Sequence, residues 1–302
     1  EDAGEMAYVS TEQEGTSLRS TVSPASEKLM WYFLRISGLA LVFLAGGHLF
    51  ITHYLNVPSD MTFDFVSKRW SNPLWRSFDM LLLFAALWHG LIGLRFSVRD
   101  FLRSPGARQV GFSLIWVFGV VFSVVGMITI ISFNEQMSRD NTGPLSGQMW
   151  IAKGLGGLLF ILAIGTYIAV IALVVWVVRN LRAGTVPVYA GDTGQYAWVL
   201  HRATGIGILG FLLIHIIDIM LIGLGRDVYN HSVEFYGNWF IIPMEILLVG
   251  AVIYHTLNGL RIIAVNFSAS GPSREKKYFW WVLVGSVLIT LPSAIIILIN
   301  EL

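Results

Sequence analysis

The sequence contains no cysteine, and only 13% of its 302 residues are charged. Without thiols the chain cannot ligate an iron–sulfur cluster, a thiolate zinc site or a covalently attached c-type haem. With 55% hydrophobic residues and a mean hydropathy of +0.67, it has more apolar surface than a soluble domain can bury. We therefore predict an integral membrane protein that contacts the lipid bilayer, with no nucleic-acid partner.

Long hydrophobic runs dominate the rest of the chain. A helix needs about 20 apolar residues to cross a bilayer, and seven runs meet this length: residues 30–55, 75–97, 110–132, 152–178, 201–224, 240–265 and 278–299. They predict an all-α integral membrane protein with about seven transmembrane helices. Arginine and lysine are concentrated in the loops after the second, fourth and sixth runs, which places the N-terminus in the cytoplasm and the protein in the cytoplasmic (inner) membrane. Residues 1–29 form an acidic, polar N-terminal tail that we expect to be disordered or ordered by a partner.

Two parts of the chain repeat the same residue types at the same spacings. The first repeated set is Trp31, Arg35, Ser37, Gly38 and His48, matched by Trp198, Arg202, Thr204, Gly205 and His215. The second is Asp79, Ala85, His89, Gly93 and Arg95, matched by Glu245, Ala251, His255, Gly259 and Arg261. The repeat predicts two parallel three-helix units, residues 30–133 and 198–302, joined by a connecting segment, residues 134–197, that contains an extra transmembrane helix.

The repeat places one histidine in each of four hydrophobic runs, the first, second, fifth and sixth. At about 1.5 Å per residue, His48 and His215 lie roughly 19 Å beyond the arginine of their run, and His89 and His255 about 9 Å from theirs. We call His89 and His255 the proximal pair, and His48 and His215 the distal pair. Paired histidines inside a membrane suit two bis-histidine b-type haems in a four-helix bundle. The alternative is that they are structural, since intramembrane histidines also bond to neighbouring helices and small residues allow close helix packing.

Other polar side chains accompany these histidines. The repeated arginines, Arg35, Arg95, Arg202 and Arg261, are candidates for binding haem propionates, although arginines at helix ends also mark the membrane interface. Three acids lie toward the outer half of the membrane, away from the repeated arginines: Asp79, Asp218 and Glu245. They either relay protons to a quinone or anchor helices, and the sequence leaves both roles open. The remaining histidines, His53, His201 and His231, have no repeated counterpart, and we expect them at the interface or in loops.

Around the histidines, the chain resembles a known respiratory family. Segment 200–205 with His215, and segment 255–261, are similar to the signature of the large cytochrome b anchor of succinate dehydrogenase and fumarate reductase, respiratory complex II. The first unit, with Arg35, Ser37, Gly38 and His48 and with segment 89–95, resembles the companion anchor fused in front. In two-haem members of this family, the family's first and fourth helices ligate one haem and its second and fifth the other. That arrangement matches the proximal and distal pairs.

The resemblance implies the membrane subunit of a succinate dehydrogenase (quinone), which does not oxidise succinate alone. It would hold a flavoprotein and an iron–sulfur subunit, which carry the FAD and the clusters, and would exchange electrons with menaquinone or ubiquinone. In one-haem relatives a serine and the motif arginine contact the quinone. The corresponding positions make Trp31, Ser37, Trp198 and Arg202 candidate quinone residues, whereas some two-haem relatives react near the distal haem. The side of the quinone site and any higher oligomer of the complex are left open.

Two other functions are compatible with the sequence. One is the cytochrome b subunit of another quinone-linked dehydrogenase, such as a formate dehydrogenase or hydrogenase. The other is a haem-free proton-coupled transporter, in which the histidines and acids form a proton relay. Duplicated transporter units are more often inverted, whereas the two units here run in the same direction.

Overall fold

The computed structural model describes residues 24–102, 104–133, 193–268 and 272–301, together with positions 175 and 179. Within these ranges the chain is helical and has no strand, which confirms the predicted all-α fold. The long helices are α1 (Pro24–Leu49), α3 (Pro73–Phe101), α4 (Pro105–Ser132), α5 (Thr193–Met220), α7 (Ile242–Phe267) and α8 (Glu275–Glu301). Two short helices, α2 (Phe63–Trp70) and α6 (Arg226–Val233), lie in the connections between them.

Six helices in the described ranges are long and apolar enough to cross a membrane. They correspond to six of the seven predicted runs. The remaining run, 152–178, lies outside the described residues apart from position 175, together with most of the connecting segment. Helix α1 begins at Pro24 and continues into a π-helical turn, Phe50–Tyr54. Residues 24–29, predicted as part of the polar tail, therefore belong to this helix.

Local sequence signals fix where α3 and α4 begin. The Asn72 side chain accepts a hydrogen bond from the Leu74 backbone N–H at 2.9 Å, and the Ser104 side chain accepts one from that of Ala107 at 3.1 Å. A proline follows each cap, at a position where a helix needs no N–H donor. Both helices therefore begin with a side-chain cap followed by proline.

Four helices form the predicted bundle. Helix α1 contacts α3, α3 contacts α5, α5 contacts α7, and α7 returns to α1. Helix α4 packs outside this ring against α3, and α8 packs outside it against α7. Small residues permit the close approach of α4: a Cβ atom on Gly119 would lie 2.9 Å from the Trp88 ring, and one on Gly126 would lie 2.6 Å from Leu83. The repeated histidines all belong to the four inner helices.

A polar cap covers one end of the bundle. It consists of α2, α6 and the 3-10 turns Pro58–Asp60 and Glu234–Gly237. The Phe63 backbone N–H donates to Asn230 Oδ1 at 2.8 Å, which ties α2 to α6. Burial, together with the nearby carboxylate of Asp218, raises the pKa of Tyr229 above its usual range, so this cap tyrosine stays neutral at physiological pH.

Candidate functional site in the four-helix bundle

A continuous cavity of about 1290 Å³ runs through the inside of the bundle, and all four repeated histidines line it. Its volume exceeds the roughly 300–1,000 Å³ typical of a pocket for one small molecule. We call the two ends of the cavity the arginine end, which contains Arg35 and Arg202, and the carboxylate end, which contains Asp79, Asp218 and Glu245. The cavity has room for more than one ligand along the length of the bundle.

The structure brings the histidines together in the pairs that their spacing predicts. The ring centroids are 6.3 Å apart for His89 and His255, and 6.1 Å apart for His48 and His215. With metal–nitrogen bonds of about 2 Å, two imidazoles that bind one ion on opposite sides place their centres about 6.3 Å apart. Each pair therefore has the separation that a shared metal ion requires.

The remaining ligands of such an ion must come from a cofactor. Among the described residues, no group of three or more histidine, cysteine, aspartate or glutamate side chains is close enough to hold a metal ion. A haem supplies four nitrogens in a plane and leaves two axial positions, which is the number that each histidine pair offers. Open space beside His89 agrees with this, since a Cβ atom on Gly93 would meet nothing within 4 Å. The donor set and the cavity fit two b-type haems.

Repeated hydroxyl residues hold the proximal pair. Ser37 Oγ donates to a carbonyl in its own helix at 2.6 Å and lies 2.9 Å from His89 Nδ1. Thr204 Oγ1 likewise donates to a carbonyl in its own helix at 2.8 Å and lies 3.3 Å from His255 Nδ1. Because both hydroxyl protons are used, the oxygens accept from the Nδ1–H groups and leave Nε2 free as a metal ligand. In this structure the Ser37 hydroxyl contacts His89, which favours a role in holding this histidine over a contact with a quinone.

Each hydroxyl residue is followed by a glycine that makes room for the histidine ring. A Cβ atom would lie 3.2 Å from His89 Cε1 if it were built on Gly38, and 2.9 Å from His255 Cε1 if it were built on Gly205. The repeated Ser/Thr-Gly dipeptide therefore holds the histidine of a neighbouring helix: the dipeptide on α1 contacts the histidine of α3, and the dipeptide on α5 contacts that of α7. This explains why the dipeptide and the histidine recur together in both units.

The repeated tryptophans and arginines form matching pairs at the arginine end. The Arg35 guanidinium lies 4.2 Å from the Trp31 ring centroid, and that of Arg202 lies 4.1 Å from Trp198. Arg202 also forms an ion pair with Asp100. The Nε atoms of both arginines are buried without a hydrogen-bond partner in the described part of the chain. Both arginines therefore offer free donors to an anionic group in the cavity. The propionates of a haem are anionic groups of this kind.

The other two repeated arginines do not line the cavity. The Arg95 guanidinium lies 4.8 Å from the Phe112 ring centroid on α4, and Arg261 donates to Glu275 at the start of α8 at 2.8 Å. Their positions on α3 and α7 turn them toward the outer helices. Arg95 Nη1 and Arg261 Nε are buried without a hydrogen-bond partner in the described part of the chain, so the predicted contact of these arginines with haem propionates stays a prediction.

Two unrepeated histidines lie inside the cavity, contrary to the prediction that they occupy the interface or loops. His53 Nδ1 is 2.6 Å from Glu245 Oε1, and the ring of His201 stacks on that of His255. His231, on α6, also borders the cavity, but its side chain is mostly exposed. The repeat could not identify His53 and His201 as cavity residues. His53 in the first unit and His201 in the second have no counterpart in the other unit.

The acids at the carboxylate end are held by specific donors. Asp79 accepts from Arg69 and from Trp70 Nε1, the latter at 2.9 Å. Asp218 accepts from Ser232 and Tyr236, both at 2.9 Å. These contacts tie α3 to α2, and α5 to the segment after it. For Asp79 and Asp218 they favour the anchoring role over the proton-relay role.

Two arginine–aspartate pairs at this end provide a matched test of the anchoring role. Arg69 and Asp79 have side chains only 11% and 15% exposed, whereas Arg226 and Asp64 are both 43% exposed. We expect Arg69→Leu to lower the free energy of unfolding by about 3–5 kcal/mol, because it leaves a buried carboxylate without its cation. Arg226→Leu should cost less than about 1 kcal/mol. Denaturant unfolding in detergent measures both, and equal losses would contradict the anchoring role.

Comparison with known proteins gives one consistent family. The description "Succinate dehydrogenase/Fumarate reductase transmembrane subunit" matches residues 12–128 and 185–291. The chain is 34% identical over 111 residues to the succinate dehydrogenase 2 membrane subunit SdhC of Mycobacterium tuberculosis, covering 36% of this chain and 80% of that protein. It is 27% identical over 99 residues to a succinate dehydrogenase hydrophobic membrane anchor subunit of Halobacterium salinarum, covering 32% and 76%. Each family match contains two of the four repeated histidines.

Proposed function

The chain belongs to the succinate dehydrogenase/fumarate reductase family of transmembrane subunits, and we propose that it is the fused di-haem cytochrome b anchor of a succinate:quinone oxidoreductase. The observation that carries the di-haem proposal is the separation of 6.1–6.3 Å within both histidine pairs. Each haem, when bound, supplies one-electron transfer. Haems held by the two histidine pairs would form an electron path along the bundle axis.

The residues of the chain prepare these two sites. His89 and His255 would ligate the proximal haem, and His48 and His215 the distal one. Arg35 and Arg202 are placed to neutralise propionates at the arginine end, where their Nε atoms are otherwise unpartnered. The cavity around both pairs is lined mainly by apolar side chains, which would limit the access of water to bound haems.

The partners follow from what the chain lacks and from its family. Because it has no cysteine, the chain cannot ligate iron–sulfur clusters by thiolates. We assign the clusters and the FAD to the iron–sulfur and flavoprotein subunits that its family implies. We place these subunits at the arginine end, on the cytoplasmic side with the N-terminus, according to the loop charges. Trp31, Trp198 and Arg202 line this end of the cavity and are our candidates for contacting menaquinone or ubiquinone.

A reduced-minus-oxidised absorbance spectrum of the purified complex, with extracted haem measured per chain, tests the proposal. We expect two b-type haems per chain, co-purified flavin, and haem reduction by succinate. One haem per chain would mean that one histidine pair is structural. Haem without flavin or succinate activity would favour another quinone-linked dehydrogenase, and a folded protein without haem would favour the proton-coupled transporter.

The hydroxyl groups that bond to the proximal pair give a second prediction. We expect Ser37→Ala to weaken proximal haem binding by about 10–100-fold, because the hydroxyl partner of His89 Nδ1–H is lost. Thr204→Val should weaken it less, because the His201 carbonyl, 3.1 Å from His255 Nδ1, remains as a partner. Haem transfer to an apo-acceptor protein measures this as faster release from one of the two sites. Ser132→Ala is the matched control, since Ser132 is exposed and its hydroxyl donates only within α4. Equal release from Ser37→Ala and Ser132→Ala would contradict the role of the hydroxyl.

A further inference from the structure

The two units differ at the residue before the repeated arginine. The first unit has Leu34 at this position and the second has His201. The His201 ring lies parallel to that of His255, with ring centroids 3.9 Å apart and an interplanar angle of 8°. The backbone carbonyl oxygen of His201 is also 3.1 Å from His255 Nδ1. His201 thus contacts one member of the proximal pair with both its ring and its backbone.

No hydrogen bond in the described part of the chain accounts for the position of the His201 ring. Its Nδ1 is buried without a partner. The ring instead occupies the space beside Gly259, where an added Cβ would lie 3.8 Å from His201 Cε1. The corresponding space beside Gly93 in the first unit is open. The stacked His201 ring therefore fills the space beside Gly259, next to His255, whereas the equivalent space beside Gly93, next to His89, is not filled by a side chain.

We propose that His201 is a positioning residue that fixes the ring plane of His255, so that the two axial ligands of the proximal haem are held by different contacts. His89 is held by Ser37, whereas His255 is held by Thr204, by the His201 carbonyl and by the stacked ring. This inference rests on the proposed di-haem function. The present angle between the two proximal ring planes is 82°. Stacking on only one of the rings opposes rotation of that ring about its metal bond, and so maintains the angle.

The angle between axial imidazole planes has a direct spectroscopic readout. In low-spin ferric bis-histidine haems, the position of the low-field electron paramagnetic resonance (EPR) feature depends on that angle. A residue that only filled space would leave this feature unchanged when replaced by an apolar side chain of similar size. The EPR spectrum of the oxidised complex therefore separates positioning from simple packing.

The test compares His201→Leu, which introduces the residue type of Leu34, with His201→Phe, which keeps a flat ring without titratable nitrogens. In each variant the haem per chain and the two low-field EPR features are measured, and the feature lost in His89→Ala identifies the proximal haem. We expect His201→Leu to shift the proximal feature, and His201→Phe to restore it. The distal feature should be unchanged in both variants and serves as the internal control.

Specific outcomes would overturn the assignment. An unshifted proximal feature in His201→Leu with both haems bound excludes positioning by the ring. An equal shift in His201→Leu and His201→Phe would show that a flat ring at this position does not fix the orientation of His255. Loss of the proximal haem in both variants would show the same. Loss of the proximal haem in His201→Leu with retention in His201→Phe supports the assignment. Failure of the di-haem proposal itself would be recognised separately, as fewer than two haems in the unmodified protein.

Discussion

The His89→Ala variant is expected to purify with one b-type haem per chain in place of two. His89 and His255 are separated by 6.3 Å between ring centroids, so removing either imidazole leaves the proximal haem with a single axial ligand. We choose His89 because His255 has a second histidine stacked on it, which could substitute as a ligand. His48→Ala should remove the distal haem in the same way. The two variants should therefore lose complementary parts of the reduced-minus-oxidised spectrum.

The control for this experiment is His231→Ala. His231 has a side chain 72% exposed on α6, and its replacement should leave two haems per chain. If His89→Ala and His48→Ala lost the same spectral component, the pairing of His48 with His215 and of His89 with His255 would be incorrect. Retention of both haems in His89→Ala would mean that the histidine is a structural residue.

The sequence predicted the bundle well because the relevant signals are periodic and strong. Hydrophobic runs of helix-spanning length gave six of the helices, and the repeat identified which four form the ring. The pairing of histidines followed from helix geometry, because equal distances from the repeated arginines place His48 and His215 at one depth, and His89 and His255 at another, on helices that lie diagonally across the ring. The role of the repeated Ser/Thr-Gly dipeptides in holding the histidine rings was not predicted. Ser37, Thr204 and the glycines after them could be interpreted only when the structure showed the histidine rings seated on them.

Features that depend on rotation about a helix axis or on single unrepeated residues were not predicted. Arg95 and Arg261 face the outer helices, and spacing along one helix does not reveal which neighbour a side chain meets. His53 and His201 enter the cavity through contacts with residues distant in sequence, Glu245 and His255. Arg69, which binds Asp79, lies on a short amphipathic helix outside the hydrophobic runs, where a charged residue gives no signal of a buried partner.

The second large effect is expected at Gly205, where a valine should abolish proximal haem binding. A Cβ atom there would lie 2.9 Å from His255 Cε1, closer than side-chain carbons approach in real proteins, and the additional methyl groups of valine would extend the clash. Since the His255 ring also stacks on the His201 ring, a movement away from Gly205 would disturb that contact. We expect one haem per chain, with the distal spectrum intact.

Gly46→Val is the matched control for this substitution. Gly46 lies on the exposed face of α1, and a Cβ atom built there meets nothing within 4 Å. Gly46→Val therefore tests the general cost of a β-branched residue in a membrane helix, which should leave both haems bound. Gly38→Ala should fall between the two, because its Cβ would lie 3.2 Å from His89 Cε1 and a shift of a few tenths of an ångström relieves the contact. Haem content that decreases from Gly46→Val through Gly38→Ala to Gly205→Val would establish that these glycines make room for the histidine rings. Equal haem content in the Gly205→Val and Gly46→Val variants would exclude this role.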